Sequence, residues 1–451
     1  MKVIGLMSGT SLDGLDVAYC EFFKPYSSSP VRLRDMNAQR LDRDLKAARD
    51  YEKHYGNFLQ LDTKDLYCNV FAATTYKYPP LLRNKLARLH DSSALEYAQT
   101  DVELGHYIGK KVAKFMNSHY GTADLIASHG HTIFHNPASR LTTQIGCGDA
   151  IAAETGLPVV FNFRRLDVAL GGQGAPLVPM GDQLLFGNYD GCLNLGGIAN
   201  ISYNEVTEKS TQLNSFGKDI YTSCTSITKE TKTQRTAFDI VVCNMAMNEV
   251  AHGLGKEYDV DGETARSGKV CHELLTALNA LKYYKQGAPK SLGKEWYLEH
   301  MAPLLDGSAL PIAAELSAAD LLCTLVEHTA HQIAKVVKTH HLRSLLVTGG
   351  GTYNKYLIER MQICINGAAR ELAPAAKLPC YEEAASSRPV LPKGMCDIVL
   401  PHRTVIDYKE AIIFALLGYL RLTCQSNTYS SVTGALCDSM GGDIAGKFQE
   451  E

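Results

Sequence analysis

Hydrophobic and polar positions change period several times along this chain. Residues 2–20, KVIGLMSGTSLDGLDVAYC, run apolar, cross a Gly/Ser/Thr/Asp stretch, and turn apolar again from Leu15 to Cys20. That pattern predicts a β-hairpin whose tip is rich in hydroxyls and carboxylates. Pro79–Arg88 and Asp101–Ser118 carry the 3.6-residue period of helices. Leu125–Ala127, Pro158–Val160 and Cys192–Asn194 are short apolar runs ending in Gly or polar turns, as buried strands do. Ala318–Thr339 predicts an amphipathic helix capped by Ser317 with Asp320 three residues on, feeding a strand at Ser344–Thr348 that ends in Gly349–Gly351. Helices follow at Lys355–Ile363 and Tyr408–Leu422, the second strongly apolar. Three stretches break the rhythm: 24–56 is polar and partly helical, 204–235 reads as a surface loop or irregular hairpin, and 371–400 as an excursion. The order is α/β throughout.

Composition narrows the class. At roughly 150 residues per domain, 451 residues suggest two or three units. Apolar residues make up 45% and charged residues 21%, enough for a sizeable core, which excludes disordered, collagen-like and coiled-coil chains. A net charge of −3 without blocks of like charge argues against nucleic acid or a membrane surface as partner. The 13 cysteines lie at least 13 positions apart, with no CxxC, and read as buried thiols in a reducing compartment. The longest apolar stretch, Ala411–Leu420, is far short of the ~20 residues of a membrane span. The chain is therefore expected to be cytoplasmic.

Glycine is clustered at Gly5/Gly9/Gly14, Gly171/Gly172/Gly174, Gly196/Gly197 and Gly349/Gly350/Gly351. Such clusters mark sharp turns or close approach of backbone to a ligand. No GxxxxGK[ST] and no strand–GxGxxG–helix is present, so neither a P-loop nor a Rossmann fingerprint is available; GHYIGKK (105–111) has the wrong spacing. A hairpin tip such as Gly9–Gly14 can still cradle phosphate with backbone N–H groups and hydroxyls, or it can be an ordinary turn. LNLGGIANIS (193–202) and LLVTGGGTYN (345–354) supply two more strand–glycine junctions. Three of them in one α/β chain point to a nucleotide held between two domains. His129, His131 and His135 in SHGHTIFH tempt a metal assignment, but no further ligand stands in register.

GLMSGTSLDGLDVA (5–18), GGQGAPLVP (171–179), LNLGGIANIS (193–202), YDVDGETARSG (258–268), VTGGGTYN (347–354), DYKEAIIFALLGYLR (407–421) and SVTGA (431–435) run in the order found in the anhydro-N-acetylmuramic acid kinases. The chain resembles that family of the actin/Hsp70/sugar-kinase superfamily over most of its length. The resemblance implies two ribonuclease-H-like α/β domains closing over a nucleotide and sugar cleft. We expect one at 1–189, joined by 408–451, and the other at 190–407. It implies an ATP- and Mg²⁺-dependent phosphotransferase of peptidoglycan recycling that opens 1,6-anhydro-N-acetylmuramic acid with water and phosphorylates the freed O6. It also implies a homodimer. Carried over residue by residue, Asp167 would be the base and Glu410 an acidic group facing the site. Gly9, Thr10, Ser11, Leu12, Asp13, Gly14, Leu15 and Asp16 would wrap the phosphates, with Asp13 or Asp16 near Mg²⁺. Gly196 and Gly197 would form the second phosphate loop, joined by Asp239, while Gly349, Gly350, Gly351 and Asn354 would meet adenosine. His129, Gly130, His131, Arg164, Gly172 and Gln173 would line the sugar pocket.

The chain also departs from the family pattern. His131 stands where Gln is frequent, Asn162 where Asp is frequent, and AFDIVVCN (237–244) where many members have a Gly-Pro-Gly turn. Val241, Val242 and Cys243 are expected to hinder close phosphate approach. A kinase of another amino sugar, or a degenerate ATP-binding sensor, are the alternatives. Segments near 24–70, 204–235 and 371–400 are expected to be additions to the family frame.

Overall fold

A computed structural model of the chain describes residues 1–9, 12, 14–23, 59–61, 66–119, 121–215, 224–367, 392 and 394–446, without the side chains of 206–232. The polar stretch at 24–56 lies outside the described residues. Two mixed sheets organise the chain. In the first, β1 (Lys2–Ser8), β2 (Leu15–Phe23), β3 (Leu59–Leu61), β4 (Tyr67–Tyr76), β5 (Leu125–Ser128), β8 (Val159–Phe161) and β14 (Asp443–Ala445) stand in the order β14-β8-β5-β1-β2-β4-β3. A separate ribbon pairs β6 (His131–Asn136) with β7 (Leu141–Ile145). In the second sheet, β9 (Gly191–Leu195), β10 (Ile198–Ser215), β11 (Cys224–Val242), β12 (Ser344–Thr348) and β13 (Asp397–Val399) stand as β11-β10-β9-β12-β13.

The same plan occurs twice. β1, β5 and β8 run parallel while β1, β2 and β4 form an antiparallel meander. Likewise β9, β12 and β13 run parallel while β9, β10 and β11 form the meander. Both give the strand order 3-2-1-4-5 of the expected ribonuclease-H-like unit, with β3 and β14 added at the edges of the first.

The helices that matter here are α1 (Ala94–Ser118), α2 (Arg165–Ala169), α3 (Val178–Leu185), α4 (Asn244–Gly253), α5 (Ala318–Thr339), α6 (Lys355–Asn366), α7 (Arg403–Leu422) and α8 (Ser430–Thr433). α1 begins seven residues before the predicted Asp101, because Ser93 accepts the Glu96 N–H and starts the helix there. α5 is capped as predicted, by Ser317 accepting from the Asp320 N–H. α7 is the central element. Ile412–Leu417 are buried in a core cluster that takes Val3, Leu125 and Val160 from the first sheet and Cys192 and Leu346 from the second. A helix apolar on all sides belongs between layers. Its seat depends on glycine: a Cβ on Gly5 would run into Ala411 O, and one on Gly418 would stand 2.5 Å from Ala127 Cβ. Gly5 therefore serves helix–sheet packing, not the phosphate tip with which its spacing groups it.

Other expectations need narrowing or correcting. Residues 204–235, expected as a loop or an irregular hairpin, take the hairpin form in their described part: β10 and β11 pair in a ladder reaching Ser215↔Cys224. The 24–70 and 371–400 stretches contain strands β3, β13 and the start of β4. Not all thiols are buried, since Cys424 and Cys437 are exposed while Cys20, Cys68, Cys192 and Cys243 are buried. Among the described residues no helix is long and apolar enough to cross a membrane.

Candidate active site

β1, β5 and β8 end on one edge of the first sheet, the edge where open α/β sheets place ligands. Immediately after β5, the His129 N–H donates to Leu6 O (3.0 Å), which ties this turn to β1. Arg164 Nε–H donates to His129 Nε2 (2.9 Å). A guanidinium can only donate, so the ring proton of His129 sits on Nδ1, which donates to Gly130 O (2.8 Å). Burial, then Arg164, pushes the His129 pKa well below the usual range, so the ring is a neutral acceptor. His131 Nδ1 lies 3.2 Å from Ser8 Oγ, which accepts the Tyr78 hydroxyl (2.7 Å). Burial also lowers His131. His135 is exposed and sits 3.0 Å from Thr142 Oγ1. None of the three histidines joins a metal-ligating cluster among the described residues. The cluster that does occur, Glu327, His331 and Cys364, has its carboxylate gripped by Arg360 at 2.7 and 3.0 Å.

Asp167 lies on α2, just beyond β8, and is 0% exposed. The Gly174 N–H donates to its Oδ2 (2.7 Å) and the Thr433 hydroxyl to its Oδ1 (2.7 Å). Glycine is required at 172, where a Cβ would run into Asp167 Oδ2. The exposed Gln173 is anchored by its backbone N–H, which donates to Thr433 O (2.8 Å). Arg164 Nη1–H donates to Gly174 O (2.6 Å). Burial lowers the Arg164 pKa to about 10 against the opposing pull of Glu410 and Asp167, so the guanidinium stays charged between two carboxylates. Glu410 on α7 keeps solvent-exposed surface, yet protein crowds its carboxylate and that desolvation raises its pKa. Open to solvent but enclosed by protein is the condition of a cleft floor. Asn162 adopts φ +59°, which Asn tolerates, and its amide donates to Asp443 Oδ2 (2.8 Å). An Asp there would face that carboxylate directly.

At the β1–β2 tip, Thr10, Ser11 and Asp13 lie outside the described residues. The Leu12 N–H donates to Gly9 O (3.2 Å), the Leu15 side chain is buried in the core, and Asp16 Oδ1 accepts the Thr75 hydroxyl (2.6 Å). Gly14 serves packing, since a Cβ would come within 2.6 Å of Tyr76 O.

In the second sheet β9 and β12 run parallel, and their ends place Gly196–Gly197 beside Gly349–Gly351. Gly196 and Gly197 form the two-residue β9–β10 turn, and α4 starts against it: Asn244 N–H donates to Gly196 O (3.2 Å), Cys243 N–H to Gly197 O (2.9 Å). A Cβ on Gly349 would stand 2.5 Å from Asn194 Oδ1 and one on Gly351 2.8 Å from Leu195 Cβ, so the third junction packs on the second. Gly196, Gly197 and Gly350 differ. None has positive φ, and an added Cβ would meet protein no closer than 3.4 Å at any of them. Internal packing does not require glycine there, which leaves bare backbone open to a ligand such as a nucleotide phosphate.

Asp239 and Asn354 each give one oxygen to a structural contact. Asp239 Oδ2 accepts the Leu292 N–H (2.8 Å), and Asn354 Oδ1 caps α6 by accepting the Leu357 N–H (3.0 Å). Val241, Val242 and Cys243 do not crowd the turn, because all three side chains are buried in the second core. α7 joins the two edges. Its Asp407 Oδ1 accepts the Tyr353 hydroxyl (2.6 Å) beside the triple glycine, and its Phe414 ring lies 4.7 Å from His129. Sequence reasoning missed Thr433 as the clamp on Asp167; its only signal was its place in SVTGA.

A family model described as "Anhydro-N-acetylmuramic acid kinase" matches residues 58–213 and 224–386. A curated relative of that name from Picosynechococcus sp. is 31% identical, covering 98% of this chain and 99% of its own length. Another from Aliivibrio fischeri is 30% identical over 96% of both. Among solved structures, a ROK family glucokinase from Streptomyces griseus is 10% identical with TM-score 0.35, covering 93% of this chain and 99% of that one. At that score the likeness carries no argument, and the fold rests on the strand order alone.

Proposed function

Because the chain belongs to the anhydro-N-acetylmuramic acid kinase family, and so is a phosphotransferase, we propose that it converts 1,6-anhydro-N-acetylmuramic acid, water and ATP into N-acetylmuramic acid 6-phosphate and ADP. The observation that carries this reading is the clamped Asp167, whose two oxygens accept from Gly174 and Thr433 while Arg164 carries its positive charge between Asp167 and Glu410. Asp167 takes a proton from water as the water oxygen attacks the anomeric carbon. The C1–O6 bond breaks, and O6 bonds to the γ-phosphorus as ADP departs. No separate acid has to protonate O6, because the phosphoryl group captures it. Fixing both Asp167 oxygens holds the base in one orientation, so the attacking water meets a prepared acceptor. Charged Arg164, held in place by neutral His129 and by Gly174 O, would offer its remaining N–H donors to the sugar.

Gly196, Gly197 and Gly350 would lie against the nucleotide, since their bare backbone fits a phosphate or ribose that a side chain would block. Mg²⁺ bound with ATP would neutralise developing phosphate charge, with Asp13 or Asp16 the residue to hold it. The division at 1–189 with 408–451, and 190–407, is retained as our assignment of the two lobes. The test is an ADP-release assay with the anhydro-sugar, ATP and Mg²⁺. The expected product is heavier than the sugar by one water and one phosphoryl group. A product that gains the phosphoryl group but keeps the anhydro bridge would overturn the reading.

A further inference from the structure

Thr433 of α8 holds Asp167, while Ser430 and Ser431 of the same helix line a cavity of about 420 Å³ that the reaction does not use. Gln183 of α3, Asn204 of β10 and Arg235 of β11 line it with them, so it is built from both halves of the fold. Arg235 is 4% exposed. Its Nη1 donates to Gln183 Oε1 and Asn204 Oδ1, both at a long 3.3 Å, and its Nη2 to Ser202 Oγ (2.8 Å) and Ser202 O (3.3 Å). Its Nε–H has no acceptor among the described residues.

The charge count is unbalanced. The Ser202 hydroxyl donates to Asp182, and that buried carboxylate is already the salt-bridge partner of buried Lys409 at 3.2 Å. Arg235 reaches that carboxylate only through the Ser202 hydroxyl, and among the described residues no acid lies within salt-bridge distance of it. A buried guanidinium with an orphaned donor is costly unless something supplies the anion. Asp438 also lines the cavity, but it is engaged with Ser430, accepting its N–H (2.8 Å) and hydroxyl (2.7 Å). An acid there repels a second negative group and accepts hydroxyl or amide donors.

We propose that this cavity is a second ligand site for a small hydroxylated oxyanion, a sugar acid or sugar phosphate, whose charged group pairs with Arg235 and whose hydroxyls reach Asp438. None of the side chains assigned to the Asp167 site lines it, so the inference does not depend on the proposed reaction.

The test is calorimetric titration of the nucleotide-free full chain with D-gluconate, N-acetylglucosamine 6-phosphate and neutral glucose. One or both anions should bind and glucose should not; which anion binds separates carboxylate from phosphate. Gln183→Glu keeps the shape and places a carboxylate at the Arg235 Nη1 contact. It should weaken the anion at least tenfold and raise Tm by supplying the missing charge. Asn204→Asp does the same from the opposite wall, should Gln183→Glu fold poorly. Binding unchanged in the folded variants, or no binding of either anion to the wild-type chain, overturns the proposal. Activity is not read, so failure of the kinase reading would leave this outcome interpretable.

Discussion

The two sheets repeat one strand order, yet the equivalent turns do opposite work. After β5 the chain presents His129, Gly130 and His131; after β12, its counterpart, it presents Gly349, Gly350 and Gly351. Both turns use a glycine of positive φ just beyond the strand, Gly130 at +72° and Gly349 at +85°. One edge then gathers side chains whose hydrogen bonds fix each other's protonation and direction. The other strips side chains away and leaves backbone. A shared frame therefore sets where chemistry occurs, while the few residues past each strand end decide whether it is done by side chains or by approach to the main chain.

The comparison breaks most visibly at Asp167. Asp167→Asn should lower kcat about 10²–10⁴-fold, the range for losing a general base, while leaving a folded protein by circular dichroism. Retained turnover in the ADP-release assay would move the chemistry off the side-chain edge. The glycine edge is probed by one substitution at two neighbouring positions. Gly351→Ala forces a Cβ to 2.8 Å from Leu195 Cβ and should destabilise by about 1–3 kcal/mol in denaturant titration. Gly350→Ala meets no protein within 4 Å and should leave stability alone while raising KM for ATP. If both behave alike, the distinction between packing glycines and ligand glycines fails. Thr433→Val comes next: it removes one hydrogen bond to a buried carboxylate, about 1.5–3 kcal/mol of orienting interaction. It should reduce kcat roughly tenfold or more with little change in sugar KM, as expected of a positioning residue.

What could be read in advance follows the range of the interactions. The β1–β2 hairpin, α5 with its Ser317 cap, and the strand–glycine junctions are local patterns, and each is present. The β10–β11 ladder is legible only as one of two readings, loop or irregular hairpin, because the sequence of its outer part alternates no apolar face and is loop-like in composition. The clamp on Asp167 was invisible for another reason. Thr433 is 266 residues away, and no periodicity reports a contact of that span. Gly5 shows a third limit: its spacing groups it with the phosphate tip, but the partner that requires it is Ala411 on the last long helix. Asp239 and Asn354 match motifs, and each also gives one oxygen to a structural contact, a strand–loop tie and a helix cap.

The smallest effect concerns Glu410, whose carboxylate is desolvated by the surrounding protein against the pull of two cations. Desolvation raises its pKa above 4.5 despite Lys409 and Arg164. Below pH 4.5 the group is protonated both folded and unfolded, so it costs nothing. As pH rises through the window between 4.5 and its folded value, the unfolded state loses the proton first and stability falls. Glu410→Gln has no charge to desolvate, so its Tm should exceed wild type at pH 7–8 and converge with it below pH 4.5. A variant less stable than wild type at neutral pH would mean that the pull of Arg164 and Lys409 outweighs desolvation. The Glu410 carboxylate would then belong to the hydrogen-bonded machinery of the first edge and not to the open floor between the two.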